Sequence, residues 1–267
     1  MIVDVEKVAA LIAEIAQTEI MPRYGKLSAG EIRQKSGPND LVTEVDEATE
    51  RALELALRAI RPDAGFIGEE LAAKNPQAAN ALTGEGAFWV VDPLDGTRNF
   101  VNGVDEFGTI VALVENGETR AGWIYAAPHN SSAIAEKGEG ATWRGERLRV
   151  TASEREKPLG LRSLGWLSPD RQERMRARLS ARFESRSSHC SAYAYIALAK
   201  GDVDFKVSSL IHPWDHVAGA LIVSEAGGKP AFLDDGEPYR PSPSVNKPLL
   251  VTARRNDWDA IAAGLRD

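Results

Sequence analysis

Apolar residues near the start of the chain recur at Val5, Val8, Ile12, Ile15 and Ile20, close to a 3.6-residue period, which predicts an amphipathic helix. Gly25 and the polar stretch from Leu27 to Asn39 end it in a loop. A second helix is predicted from Glu44 to Ile60, with Ala48, Ala52, Leu55, Ala56 and Ile60 turned inward and Arg61-Pro62-Asp63 as its stop. The pattern then changes to short apolar runs, which read as buried strands: Phe66-Ile67, Phe88 to Val91, Thr109 to Val114 and Arg120 to Tyr125. Asn116-Gly117 between the last two is a hairpin signal. Gly138, Gly140 and Gly145 mark turns between further strands.

The second half alternates strands with helices. Helices are predicted over Pro169 to Leu179, Ala192 to Lys200 and Asp215 to Ala226, the third closed by Gly227-Gly228. A late strand is expected at Lys247 to Ala253 and a terminal helix at Asp257 to Leu265. The polar stretch Thr151 to Lys157 reads as a boundary between an N-terminal α+β domain, 1–150, and a C-terminal α/β domain, 151–267. Strands mixed with helices throughout predict a layered α/β (α+β) fold.

Composition narrows the function. The chain has 267 residues, 43% hydrophobic and 27% charged, which suits a globular core. A net charge of −7 argues against a general nucleic-acid binder, although a bound divalent cation inverts the sign of an acidic pocket. Cys190 is the only cysteine, so no disulfide forms within the chain and a thiolate zinc site is not expected. The first twenty residues lack a basic n-region and no long uninterrupted apolar stretch occurs, so neither a signal peptide nor a membrane span is expected, and the cytoplasm is the expected location.

The segment richest in chemistry is Asp92-Pro93-Leu94-Asp95-Gly96-Thr97, directly after an apolar run. Pro93 is expected to stop the strand, leaving Asp92 at its end and Asp95 past a tight turn. Carboxylates so placed suit a hard cation such as Mg²⁺, which takes oxygen ligands and shares them with phosphate and water. The Leu94 carbonyl is a further oxygen donor. Gly96 and Thr97 would open a helix whose free N–H groups suit a phosphate. Read alone, the same residues make an ordinary turn. Glu69 follows another apolar run, and Asp215 precedes an apolar helix, where an N-cap is the plain reading.

Gly68-Glu69-Glu70, Trp89 to Phe100 with Asp92-Pro93-Leu94-Asp95-Gly96-Thr97 inside it, Trp214-Asp215-His216-Val217-Ala218-Gly219-Ala220 and Glu225-Ala226-Gly227-Gly228 together resemble the inositol monophosphatase family. Asn39 to Asp46 and Glu136 to Ala141 fit the same pattern. The resemblance spans essentially the whole chain, with its motifs in family order. It implies a five-layer αβαβα sandwich and lithium-sensitive, Mg²⁺-dependent phosphomonoester hydrolysis, with two or three ions and a homodimer. It places Glu69, Asp92, the Leu94 carbonyl, Asp95 and Asp215 on the family's metal ligands. By this likeness the N-terminal domain carries most of the ligands, and the C-terminal domain supplies Asp215 and the substrate pocket. Asp46 and Thr97 fall on the pair that positions the attacking water, with Glu69 beside them. Gly96 and Thr97 fall on donors to the phosphate, and Lys35 and Asp40 on a mobile loop over the metals. His129, His189, His212 and His216 are expected to be structural or surface residues.

Two departures bear on the substrate. The acidic residue expected seven positions before Asp215 is Ser208, which brings no charge to a sugar hydroxyl. Ser188-His189-Cys190-Ser191-Ala192 replaces a run of small residues, so His189 and Cys190 are candidates to line the leaving-group pocket, with a buried helix position the plain reading of Cys190, and Ser191 and Ser208 are candidate substrate-binding residues. An inositol monophosphate is the nominal substrate. Histidinol phosphate, a sugar bisphosphate and a 3′-phosphonucleotide are alternatives within the same chemistry, and a regulatory binding protein of the same fold is the alternative outside it.

Overall fold

The computed structural model describes residues 3–26, 32–34, 41–151 and 153–266; Lys35 and Asp40, expected in a loop over the metals, lie outside them. Helix α1 (Val5–Ile15) starts at Asp4, whose carboxylate accepts the Glu6 and Lys7 N–H groups at 3.1 and 3.0 Å. The chain then widens into a π turn, Ala16–Ile20, and a short 3₁₀ turn, Met21–Arg23. The single helix expected through Ile20 is thus interrupted. Its buried positions, Val8, Ile12, Ala16 and Ile20, step by four, which overruns a 3.6-residue turn. A wider turn returns Ile20 to the core side.

Strands β1 (Ile32–Gln34) and β2 (Leu41–Thr43) form a small antiparallel pair that leads into α2 (Glu44–Ile60). A capping box starts α2: Thr43 Oγ1 accepts the Val45 N–H at 3.1 Å, and Asp46 Oδ2 accepts the Thr43 N–H at 2.7 Å. The buried face of α2 carries Val45, Thr49, Leu53 and Leu57. Leu55, expected inward, is 78% exposed, and Ala48, Ala52, Ala56 and Ile60 are only half-buried flanks. The larger side chains of the four-residue series from Val45 fill the core and set the helix rotation; the alanines fill less.

Next come β3 (Gly65–Gly68), α3 (Glu69–Lys74), β4 (Ala87–Asp95), α4 (Thr97–Val101), β5 (Gly108–Glu115), β6 (Glu118–Ala126), β7 (Ser131–Glu136), β8 (Gly140–Trp143) and β9 (Glu146–Arg147). They build a seven-stranded sheet in sequential order β3 to β9. The β5–β6 hairpin turns at Asn116 and Gly117, both left-handed with φ of 51° and 74°.

Pro93 does not stop its strand. β4 continues to Asp95 with a shift in register between Asp92 and Asp95. Residues 93 and 94 fall in the register shift against β5, where the Pro93 carbonyl accepts from Thr109 Oγ1, and parallel partner β3 has already ended at Gly68, opposite Val91, so the missing Pro93 N–H breaks no ladder bond. Asp92 therefore lies within the strand, at its irregularity, rather than at its end.

The second half contributes β10 (Leu159–Ser163), α5 (Pro169–Arg182), β11 (Glu184–Ser187), α6 (Ser191–Lys200), β12 (Phe205–Ser208), α7 (Pro213–Glu225), β13 (Lys229–Phe232), β14 (Leu249–Thr252) and α8 (Trp258–Leu265). Its five strands order as β11-β10-β12-β14-β13. Helices α1 and α2 cover one face of the larger sheet, α6 and α7 lie between the sheets, and α5 and α8 cover the far face of the smaller one. The result is the expected five-layer αβαβα sandwich. Helix α7 starts from His212 as N-cap, with Asp215 in its first turn, so Asp215 is not the cap.

Candidate active site

Five elements bring the candidate residues to one place. Asp92, Leu94 and Asp95 come from the irregular end of β4, Thr97 from the start of α4, Asp46 from the first turn of α2, Glu69 from the start of α3 and Asp215 from the first turn of α7. Ligand oxygens of Asp92, Asp95 and Asp215 all lie within 4.8 Å of one another. Asp92, Leu94 and Asp95 are buried, while Glu69, Gly96, Thr97, Ser191 and Asp215 are half-buried around them.

Local geometry holds each group. Asp92 Oδ1 accepts the Leu94 N–H at 3.1 Å. Thr97 Oγ1 lies 3.0 Å from Asp46 Oδ1 and 2.9 Å from the Leu94 carbonyl, and its single proton serves one of them at a time. The Leu94 carbonyl keeps a second lone pair for another partner. Gly96 sits at φ 84° as the cap of α4, where a Cβ would stand 2.8 Å from the Glu106 carbonyl oxygen, so only glycine fits. Asp95 Oδ2 accepts the Ala192 N–H at 2.6 Å and faces the Cys190 thiol at 2.8 Å.

The Glu69 position is set from behind. Buried Glu50 on α2 accepts the Glu70 and Leu71 N–H groups, both at 2.8 Å, and so satisfies the start of α3. A Cβ at Gly68 would stand 2.2 Å from Glu50 Oε2, so the glycine makes room for that carboxylate.

The electrostatics are those of crowded like charges. Burial pushes the Asp92 carboxyl well above its ordinary range, and Glu69, Asp95, Asp215 and Asp46 push it in the same direction. Burial raises Asp46 to about 6, with Glu69 adding to the effect while hydrogen bonds from Thr43 and Thr97 oppose it. Burial also raises Asp95, against the pull of hydrogen bonds from Cys190, Ala192 and Ser191 and the charge of Lys206. Burial and Asp95 push the Cys190 thiol well up, which favours its protonated form. Hard oxygen donors with unfavourable mutual repulsion fit a divalent cation of the Mg²⁺ type.

Among the substrate-pocket candidates, Ser191 is the first residue of α6 and Ser208 is buried on β12. His216 is buried and held neutral, Nδ1 2.7 Å from the Tyr195 hydroxyl, while His189 is exposed. Neither points to proton transfer at the carboxylates. Sequence reasoning missed Lys206, which is buried on β12 with Nζ 3.1 Å from Ser191 Oγ and 4.6 Å from the centre of the Tyr195 ring. Its signal was the alternation Phe205-Lys206-Val207-Ser208: the flanking apolar pair joins the core beneath α5 and α8, which turns Lys206 and Ser208 toward α6 and α7. The Thr43-Glu44-Val45-Asp46 capping signature was a second missed signal.

Comparison with known proteins agrees with this architecture. The chain is 35% identical over 211 residues to a fructose-1,6-bisphosphatase/inositol-1-monophosphatase of Thermotoga maritima, covering 78% of this chain and 77% of the relative. It is 32% identical over 244 residues to Nus factor SuhB of Haemophilus influenzae, covering 89% and 88%. The solved structure of Thermotoga maritima IMPase superposes with a TM-score of 0.81 at 28% identity, over 97% of this chain and 95% of that one. The sequence model of the inositol monophosphatase family matches residues 2–263, and with that span, this fold and these relatives the chain belongs to that family of phosphatases.

Proposed function

We propose that the protein hydrolyses a small phosphate monoester with the help of two or three Mg²⁺ ions, at a site built from Asp92, Asp95, Asp215, Glu69 and the Leu94 carbonyl. The convergence of the Asp92, Asp95 and Asp215 oxygens within 4.8 Å, beside the Thr97–Asp46 pair, carries this reading. Mg²⁺ bound there would polarise the phosphoryl oxygens and make water more acidic. Asp46 and Thr97 would orient that water, and Asp46 would take its proton as the water oxygen bonds to phosphorus and the phosphorus–ester oxygen bond breaks, the departing oxygen taking a proton from solvent water. The Gly96 and Thr97 N–H groups would hold the phosphate.

An inositol monophosphate is the nominal substrate. A sugar bisphosphate is the leading alternative, in keeping with the name of the Thermotoga relative. Histidinol phosphate and a 3′-phosphonucleotide remain within the same chemistry. The halves 1–150 and 151–267 would act as two domains meeting at the site, in a cytoplasmic, lithium-sensitive homodimer. No described helix is long and apolar enough to cross a membrane.

The test is phosphate release from a panel of phosphorylated metabolites, with Mg²⁺ and with excess chelator. Release in Mg²⁺ that stops on chelation is expected, and full turnover by demetallated protein would sink the proposal. The relatives named as Nus factor favour a second, regulatory reading. A biological effect that survives Asp92→Asn while hydrolysis is lost would support it.

A further inference from the structure

The wall of the site formed by β12 and α6 carries a buried cation that the proposed hydrolysis does not require. Lys206 is 2% exposed, and its ammonium group donates to Ser191 Oγ at 3.1 Å while lying over the Tyr195 ring at 4.6 Å. Burial pulls the Lys206 ammonium below its ordinary range, and the carboxylates of Asp215 and Asp95 act against that shift. An ammonium group only donates. Ser191 therefore accepts from Lys206, and its own proton is left to donate elsewhere. Ser191 is the half-buried member of the pair and heads α6 at the rim of the carboxylate cluster. Two residues along β12 on the same face, Ser208 adds a neutral hydroxyl group. This wall presents a hydroxyl biased to donate, backed by a buried ammonium group.

The two kinds of leaving group ask for opposite walls. A neutral polyol has several hydroxyl protons to place and is best met by a carboxylate acceptor. A carboxylate or second phosphate on the leaving group has only acceptors and is best met by donors and positive charge. We propose that Lys206, acting through Ser191, is a specificity-determining positioning residue that selects phosphate monoesters whose leaving group carries a second anion over neutral polyol phosphates. The inference rests on the phosphatase reading above and names the substrate class for that site.

The test uses matched pairs at saturating Mg²⁺: 3-phosphoglycerate against glycerol 3-phosphate, and fructose 1,6-bisphosphate against fructose 1-phosphate. The readout is the ratio of kcat/KM within each pair, so effects on metal binding or on the shared phosphate site divide out. The wild type should favour the anionic member by about tenfold or more, the step given by one charge-assisted hydrogen bond in place of a neutral one. The carboxylate and bisphosphate pairs show separately which anion is preferred. Lys206→Met should bring the ratio close to one, and Ser191→Ala should lower it. A wild-type ratio of one or less overturns the proposal, whether or not the Lys206 variant folds. A high ratio that survives in folded Lys206→Met overturns the assignment to Lys206. No release from any of the four compounds while inositol 1-phosphate is hydrolysed overturns this inference and leaves the phosphatase reading standing; no release from inositol 1-phosphate and the wider panel as well brings down both.

Discussion

The Ala192 N–H donates to Asp95 Oδ2 at 2.6 Å, joining residues 97 positions apart and tying the end of β4 to the start of α6. The larger sheet and the central helical layer thus meet through a carboxylate that also belongs to the candidate metal site. Asp95→Asn keeps an oxygen for Ala192 but removes the charge. Asp95→Asn and Asp92→Asn should both fold and lose at least ~10² in kcat, the order seen when a key electrostatic stabiliser is removed. Circular dichroism and steady-state kinetics at saturating Mg²⁺ check this; near-wild-type rates in either variant would refute the assignment.

Thr97→Ala should lower kcat and kcat/KM together. The variant loses the hydroxyl 3.0 Å from Asp46 but keeps the backbone N–H assigned to the phosphate. An interaction used mainly in the transition state is lost in this way. An unchanged kcat with only a raised KM would contradict the water-orienting role.

The carboxylate cluster makes the metal-free protein sensitive to pH in an unusual direction. Asp46 is raised to about 6 and Asp92 well above 3.8, so the folded chain takes up these protons before the unfolded chain does as pH falls. Their contribution therefore weakens stability as pH rises from about 4 through about 6 and beyond. In chelator, Asp92→Asn should melt above the wild type at neutral to mildly alkaline pH, with a gap that narrows on acidification as the wild-type carboxyl groups take up protons. Mg²⁺ should raise the wild-type Tm more than that of the variant. A gap that widens on acidification would show that repulsion at Asp92 is not its source.

Glu50 tests the support behind Glu69. Glu50→Ala leaves the Glu70 and Leu71 N–H groups at the start of α3 without that carboxylate, and Gly68→Ala must displace it. Both variants should need more Mg²⁺ for half-maximal activity, because the helix that presents Glu69 loses its anchor. Mg²⁺ titrations of rate compared with wild type decide this, and an unchanged midpoint in both would leave Glu50 a purely structural role.

Local features were the most legible in the sequence. Asn116-Gly117 turned where the dipeptide predicts, because its left-handed angles are a property of those residue types. The Asp92 to Thr97 motif stood out because it packs its chemistry into a few adjacent positions. Features that depend on a neighbour were harder to read. Pro93 is tolerated inside β4 because it falls in the register shift against β5 and β3 has already ended opposite Val91, which no local pattern reveals. The inward face of α2 was misjudged at Leu55 because an alanine row and a row of larger side chains share the same period. Lys206 reads as a surface lysine until β12 is placed between two helical layers.

Asp46 divides its two oxygens between two tasks. Oδ2 receives the Thr43 N–H and hydroxyl at 2.7 and 2.6 Å and closes the start of α2, while Oδ1 faces Thr97 at 3.0 Å. A descendant of this chain that gave up catalysis would still need an acceptor at position 46 to begin its second helix. Retention of Asp46 is therefore poor testimony that such a protein is active. Thr97 and Asp92 are the more telling witnesses: Thr97 lies outside that helix cap, and Asp92 carries a buried charge that its crowded neighbours oppose in the absence of a cation.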